Sequence, residues 1–232
     1  IIARILLLNR EEIEPGDSAF AQMLLDSPVV VMGRDRFVIR SYSPVRTIGG
    51  GEILDPQGRK QKRGIEQYLG ELEILLSGSD AERAETVIGR TGAAGLSTWD
   101  LAVRSGMAMA DLQKIIKDLA QKKKVILPEK DGSRIIAYPA YRALQERLLA
   151  EIEGYHRKNP LKEGMPKEEL RMVLPGEIDA KLFNMAAKEL EKEGRIAVEK
   201  ESVRLTGHRV SLKGPVTYIY HMNSLVNKVP SR

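Results

Sequence analysis

Arg36-Phe37-Val38-Ile39-Arg40-Ser41-Tyr42-Ser43-Pro44-Val45-Arg46-Thr47-Ile48-Gly49-Gly50-Gly51-Glu52-Ile53-Leu54-Asp55-Pro56 reads as two β-type runs, Arg36 to Arg40 and Val45 to Leu54, separated at Ser43-Pro44 and closed by Asp55-Pro56. Upstream the pattern is the same: Ile1 to Leu8, a turn at Pro15-Gly16-Asp17, then Ala19 to Leu25 and Val29 to Met32. Pro28, Pro44 and Pro56 fall between the runs, where a missing backbone N–H costs least. Short strands at this spacing predict a barrel or sandwich, although ~55 residues are few for a closed barrel.

Beyond Pro56 the period changes. A basic polar linker, Arg59-Lys60-Gln61-Lys62-Arg63, leads into Ile65, Tyr68, Leu69, Leu72, Leu75 and Leu76, one face of a helix that Gly78 ends. Ser79 with Glu82 has capping-box spacing for a helix through Ile88, and Ser97 with Asp100 repeats it ahead of Leu101 to Arg104. Gly106 breaks the chain, and Leu112, Ile115, Ile116 and Leu119 mark the next helix. Val125 to Leu127 and Arg134 to Tyr138, joined across Asp131-Gly132, read as a hairpin.

The same order recurs about 70 residues on. A helix from Tyr141 to about Arg157 carries Leu144, Leu148, Ile152 and Tyr155 on one face, Pro166 to Val173 is a short helix, and Pro175-Gly176 is a turn. Phe183, Ala186, Ala187 and Leu190 repeat the spacing of Leu112, Ile115, Ile116 and Leu119, and Ile196 to Val198 with Val203 to Leu205 supply a second hairpin. Three helices followed by a two-stranded ribbon describe a winged-helix module, here two in tandem. The fold class is therefore mixed, a partial antiparallel β-barrel followed by two winged helices. The divisions fall at 1–56, 57–138 with its leading helix, 139–207, and a basic tail at 208–232. From Leu212 the tail lacks the helical pattern with which a third module should open, and it reads as disordered or as a product of truncation or frame shift.

With 42% hydrophobic and 30% charged residues the chain has material for cores, and no apolar run approaches the ~18 to 20 residues of a spanning helix. The opening Ile1 to Leu8 is interrupted by Arg4 and lacks a basic n-region, so it is a buried strand and not a signal peptide. The absence of cysteine fits a reducing cytosol and excludes disulfides, thiolate zinc sites and cysteine nucleophiles. A cytoplasmic monomer with no membrane contact is expected. The net charge of +5 is unevenly placed: basic and acidic residues number 8 and 8 in 1–60, 12 and 11 in 61–139, 13 and 13 in 140–207, and 4 and 0 in 208–232. No folded module is strongly basic, which argues against tight, indiscriminate phosphate binding.

The segment Arg36 to Pro56 resembles the closing strands of the third domain of Tu-type elongation factors, and Tyr42-Ser43-Pro44-Val45-Arg46-Thr47-Ile48-Gly49-Gly50-Gly51 resembles the variant found in bacterial selenocysteine-specific elongation factors. Those factors carry an array of winged helices after their Tu-like domains, and the order here is similar to its first part. The resemblance implies that a strand of the β domain lies before Ile1. It also implies a translation factor that delivers selenocysteyl-tRNA to the ribosome at UGA codons marked by an mRNA hairpin. In the family the hairpin is held mainly by the last winged helices, which this chain lacks. GTP and magnesium belong to a guanine-nucleotide domain with no counterpart in these residues, so no cofactor, no metal and no catalysis are expected within this chain.

In Tu itself this part of the third domain lies against the T-stem of aminoacyl-tRNA. The carry-over reaches Arg40, Ser41 and Tyr42 at the strand end and turn, and Arg46 and Thr47, which match its Arg-Thr; Ser43-Pro44 is an insertion relative to Tu. Guanidinium and hydroxyl groups suit phosphate and 2′-hydroxyl contacts. The third helix of a winged helix is the usual groove reader, so Lys114, Lys117, Lys122, Lys123 and Lys124, with Gln113, are weaker RNA-backbone candidates, as are Lys181, Asn184 and Lys188 in the second module. Glu189, Glu191 and Glu193 would repel phosphate there. A lysine cluster alone is usually a solvated face.

Gly49-Gly50-Gly51 lacks the Lys-Ser/Thr of a phosphate loop and continues a strand, and Gly89, Gly92 and Gly95 miss the dinucleotide pattern. His156, His208 and His221 show no metal-ligand spacing, and Trp99 is expected in the core. The rival reading is a tandem winged-helix module bound to DNA or serving as a protein scaffold, since fold alone does not settle function. The N-terminal β segment distinguishes the two, because a DNA-binding repressor has no need of it.

Overall fold

The computed structural model describes residues 1–58, 60, 62, 64–129, 133–174 and 178–210. The predicted turns at Asp131-Gly132 and Pro175-Gly176 and the tail from residue 211 lie outside the described residues.

The β segment forms two antiparallel hairpins. Strands β1 (Ala3–Leu7) and β2 (Ala21–Leu25) pair in one, and β3 (Arg36–Arg40) and β4 (Thr47–Glu52) in the other. These small sheets do not close into a barrel, so Ile5, Leu24, Leu25, Val38 and Ile48 stay exposed. Val29 to Met32, expected as a strand, is not one. Its end is a docking loop: the Met32 N–H donates to the Asp35 carboxylate at 2.8 Å, and the Gly33 N–H donates to the carbonyl of Val103 in the helical region at 2.8 Å.

Helices α1 (Glu66–Ser77), α2 (Asp80–Gly89), α3 (Thr98–Ser105) and α4 (Met109–Gln121), with strands β5 (Val125–Ile126) and β6 (Ile136–Ala137), build the first winged helix and its leading helix. Both capping boxes form: Ser79 and Ser97 each accept from the N3 backbone N–H, while Glu82 and Asp100 accept from the cap N–H. Gly106 ends α3 in the left-handed conformation at φ +69°, which glycine adopts without a Cβ clash.

Helix α5 (Tyr138–Lys158) begins directly after β6, three residues earlier than the apolar spacing suggests, with Pro139 in its first turn, where no hydrogen bond from its nitrogen is needed. Strand β7 (Met165–Pro166), helices α6 (Lys167–Val173) and α7 (Ala180–Lys192), and strands β8 (Ile196–Val198) and β9 (Ser202–Leu205) complete the second winged helix. Strand β7 pairs with β9, giving three strands in the order β7-β9-β8 where two were expected. A two-residue strand carries no alternation that a sequence can reveal.

Two apolar cores result. Leu72, Leu75, Val87, Ile88, Leu101, Leu112, Leu119 and Ile135 make the first, and Leu8 from the β segment joins them at 2% exposure. Tyr141, Leu148, Ile152, Leu170, Leu182, Phe183, Leu190, Ile196 and Val203 make the second. The repeat predicted from Leu112 and Phe183 is reproduced in packing, with Leu112, Ile116, Leu119, Phe183, Ala186, Ala187 and Leu190 all buried. Ile136, next to Ile135, is buried in the second core, so the last wing strand is a wall shared by both modules.

Trp99 departs from expectation at 67% exposure. Helix α3 buries Leu101, Ala102, Arg104 and Ser105, and at 3.6 residues per turn position 99 falls on the far side.

Candidate nucleic-acid interface

At the end of β3 the pairing slips by one residue between Ile39 and Arg40, so that Arg40 faces Thr47 and Ile48 is the extra residue of a bulge. Bulges re-aim the side chains beside them. Ser41 then closes the loop. Its N–H donates to the Arg46 carbonyl at 2.9 Å, its Oγ accepts from the Arg46 N–H at 3.2 Å, and the same hydroxyl bonds the Pro44 carbonyl across a cis Ser43–Pro44 peptide. Ser41, half-buried and bonded internally, therefore acts as a staple. Arg40, Arg46 and Thr47 lie exposed around it, and Tyr42 stands out at 85% exposure. Neither arginine has an ion-pair partner among the described residues. The loop thus gathers two cations, a hydroxyl and an aromatic ring at one strand end, groups suited to RNA backbone and base faces.

The glycines of β4 lie along β3, opposite Phe37 and Val38. Gly51 lies under the Phe37 ring, where a Cβ would come within 2.7 Å of it, and a Cβ on Gly50 would come within 2.5 Å of the Phe37 carbonyl oxygen. This is strand packing. Glu52 follows in the same strand, so these residues do not fit a triphosphate.

The lysines on and just after α4 are exposed but mostly engaged. Lys114 pairs with Asp111 at 3.3 Å, Lys122 with Asp118 at 2.7 Å, and Lys124 with Glu85 at 2.9 Å. Lys117 and Lys123 have no acidic partner among the described residues. In the second module Lys181 reaches Glu129 at 3.6 Å, while Asn184 and Lys188 are exposed. The acids of α7 do other work than expected. Glu189 is half-buried, accepting from the Tyr141 hydroxyl at 2.6 Å and from Gln145 at 3.2 Å, and burial together with Glu189 raises the Tyr141 phenol well above its usual range. Glu191 accepts from the Val198 N–H at 3.1 Å and Glu193 from Arg142 at 3.0 Å.

What the sequence reading missed is the join between modules. The Asp55 carboxylate, its side chain 5% exposed, accepts from Arg90 at 2.9 Å and from Arg104 at 3.2 Å. Arg90 also reaches Glu71 at 2.8 Å and lies 4.8 Å from the centre of the Tyr68 ring; burial pushes the Tyr68 phenol up. Gly33 and Gly106 meet backbone to backbone: a Cβ on Gly33 would lie 2.2 Å from the Arg104 carbonyl oxygen, and one on Gly106 2.2 Å from that of Gly33. Between the winged helices, Arg134 donates to the Ala94 carbonyl at 2.7 Å, the Ala93 carbonyl at 3.2 Å and the Asp179 carboxylate at 2.7 Å. Asp179 also caps α7 through the Leu182 N–H at 2.7 Å. One guanidinium thus ties the first module to a helix start of the second. Among the described residues no helix is long and apolar enough to cross a membrane.

Comparison with known proteins agrees with this layout. Residues 1–60 match the family described as the β-barrel domain of selenocysteine-specific elongation factor, and residues 149–205 match that described as the winged helix of elongation factor SelB. Over 215 residues the chain is 29% identical to a selenocysteine-specific elongation factor of Desulfomicrobium baculatum, an alignment covering 91% of this chain and 33% of that protein. The chain spans about a third of the length of that curated relative.

Proposed function

We propose that this chain, which belongs to the selenocysteine-specific elongation factors, is the strut of such a factor: it carries part of the surface that grips selenocysteyl-tRNA and holds it at a fixed distance and angle from the modules that grip an mRNA hairpin. The single observation that supports this is the continuity of packing. Leu8, Gly33 and Asp55 seat the β segment on the first winged helix, and β6 with Arg134 seats the first on the second. A flexible tether would lower the effective concentration of one bound RNA at the other, whereas a packed strut keeps it high.

In this reading Arg40, Tyr42, Arg46 and Thr47 contact tRNA backbone and Ser41 shapes their loop. The chemistry here is binding and positioning. GTP and magnesium would act in a different part of the whole factor, whose partners are selenocysteyl-tRNA, a selenoprotein mRNA hairpin and the ribosome in the cytoplasm. In this reading the first boundary, near Pro56, is a docked seam.

The test is selenocysteyl-tRNA binding by the full-length factor, with seryl-tRNA as competitor. Arg40→Ala and Tyr42→Ala should each weaken selenocysteyl-tRNA binding by about 5- to 150-fold, given ~1 to 3 kcal/mol for a stacked base or good polar contact. Equal affinity for the two tRNAs, together with tight salt-sensitive binding to duplex DNA, would instead favour a DNA-binding tandem winged helix.

A further inference from the structure

The end of the second winged helix carries a feature that the tRNA reading does not use. His156, 6% exposed on the last turns of α5, stacks on His208, just past β9, with ring centres 3.6 Å apart and planes 12° from parallel. The His156 Nε2 accepts from the Leu205 N–H at 3.3 Å, and the His208 Nε2 donates to the Lys162 carbonyl at 3.0 Å. Three chain segments are pinned together by this stack: the end of α5, the loop after it, and the exit from β9.

Each of these segments brings exposed cations. Arg157 and Lys158 follow His156, Lys162 is the residue whose carbonyl His208 binds, and Arg209 follows His208. None of the four has a carboxylate partner among the described residues, whereas three of the five lysines on and after α4 are paired with acids of their own surface. Helix-dipole compensation accounts for Arg157 and Lys158 at the C-terminus of α5, but not for Lys162 and Arg209 on separate segments. The groove alongside, lined by Leu149, Glu153 and Arg195, contains one acid, Glu153, and the Arg195 charge is engaged by Glu146 at 2.7 Å.

We propose that this end of the second winged helix is a docking surface for RNA backbone, in which the His156–His208 stack gathers four cations that no carboxylate neutralises among the described residues, Lys162 lying 5.6 Å from the centre of the Tyr155 ring. Cations held in a fixed array by buried contacts lose little freedom when phosphates bind, and each phosphate neutralised releases counterions. The cations of this surface come from the end of α5, the loop after it and the exit from β9, not from the expected groove-reading helices α4 and α7. It rests on the reading of the chain as part of an RNA-handling factor, but not on the tRNA contacts of Arg40 and Tyr42.

The experiment is fluorescence anisotropy of the 232-residue chain with a labelled, unstructured oligoribonucleotide of about 12 nucleotides, a length within the span of known single-strand sites, titrated across a KCl series. Lys158→Glu with Arg209→Glu should weaken binding at least about tenfold and flatten the dependence of log K on log salt by about 1.5, as expected for two lost phosphate contacts to a single strand. Lys117→Glu with Lys123→Glu, on the α4 side, should leave affinity within about twofold. Unchanged binding in the first pair, an equal loss in the second, or no measurable binding by the parent chain overturns the proposal. The tRNA reading fails or stands on Arg40→Ala and Tyr42→Ala in selenocysteyl-tRNA binding, and this one on Lys158→Glu with Arg209→Glu in oligoribonucleotide binding, so the two failures are distinguishable. Circular dichroism confirms that the exposed-site variants remain folded.

Discussion

Ile135 and Ile136 are consecutive, both fully buried, and face different cores: Ile135 packs among Ile88, Leu101 and Leu112 of the first winged helix, and Ile136 among Tyr141, Leu148 and Phe183 of the second. Strand geometry sends successive side chains to opposite faces, so one wing strand closes two domains at once. Each truncation should therefore be felt in its own module first. Ile135→Ala and Ile136→Ala should each cost about 2 to 5 kcal/mol by urea unfolding. Hydrogen exchange should show Ile135→Ala deprotecting α2 to α4 and Ile136→Ala deprotecting α5 and α7. Identical exchange patterns would mean that the two cores unfold as one unit.

The seam between the β segment and the helices depends on a charge balanced inside it. Asp55 accepts from both Arg90 and Arg104, all three side chains being mostly shielded from water. Asp55→Asn keeps the shape and removes the charge, leaving Arg104 with no carboxylate and Arg90 with Glu71 alone. Loss of one partner of a buried ion pair costs about 3 to 5 kcal/mol. Asp55→Asn combined with Arg104→Met should recover part of that loss, because the uncompensated cation is gone. No recovery in the double variant would show that the penalty comes from something other than the stranded guanidinium.

Gly33 offers a steric test of the same seam. Its φ is not in the left-handed region, so Gly33→Ala adds only the clash of a Cβ with the Arg104 carbonyl oxygen at 2.2 Å. The β segment should shift or lift from α3, lowering the melting temperature and enlarging the radius of gyration in small-angle scattering. Gly70→Ala is the control, since a Cβ there meets nothing within 4 Å and α1 gains helix propensity of roughly 0.5 to 1 kcal/mol. Equal melting temperatures for the two variants would mean that the seam is not tightly closed in solution.

The parts of the fold that were legible in the sequence are those whose physics is local. Ser79 with Glu82 and Ser97 with Asp100 are written within four residues and form as read. The recurrence of Leu112 to Leu119 at Phe183 to Leu190 is a periodicity and survives as buried faces. The seam was not legible, because nothing near Gly33 in the chain announces that Gly106 will meet it, and Asp55 looks like the first half of an Asp-Pro turn. The basic run Arg59 to Arg63 read as a polar linker, and nothing in it announced that the Gly64 N–H just after it would donate to the Leu8 carbonyl at 2.9 Å. For the candidate tRNA surface, residue types were legible and division of labour was not. Ser41 shares its neighbours' chemistry on paper, and only the loop geometry shows its hydroxyl to be occupied.

Acid should loosen the second winged helix through His156. Burial is the main cause that lowers its proton affinity, with His208 and Arg204 adding to it, and the ring is held neutral with Nε2 accepting from the Leu205 N–H. The folded state thus refuses a proton that the unfolded chain accepts near its ordinary value of about 6.5. Stability from this group is therefore fully present above about pH 6.5 and declines as the pH falls below it, since the unfolded state then binds more protons. The urea midpoint of the second module, followed by exchange at α5 and β9, should drop between pH 7.5 and 5.5. His156→Phe keeps a flat ring against His208 and cannot titrate, so it should weaken the module at pH 7.5 through loss of the Leu205 hydrogen bond yet flatten its pH dependence. An equally steep decline in that variant would assign the acid sensitivity to groups other than His156.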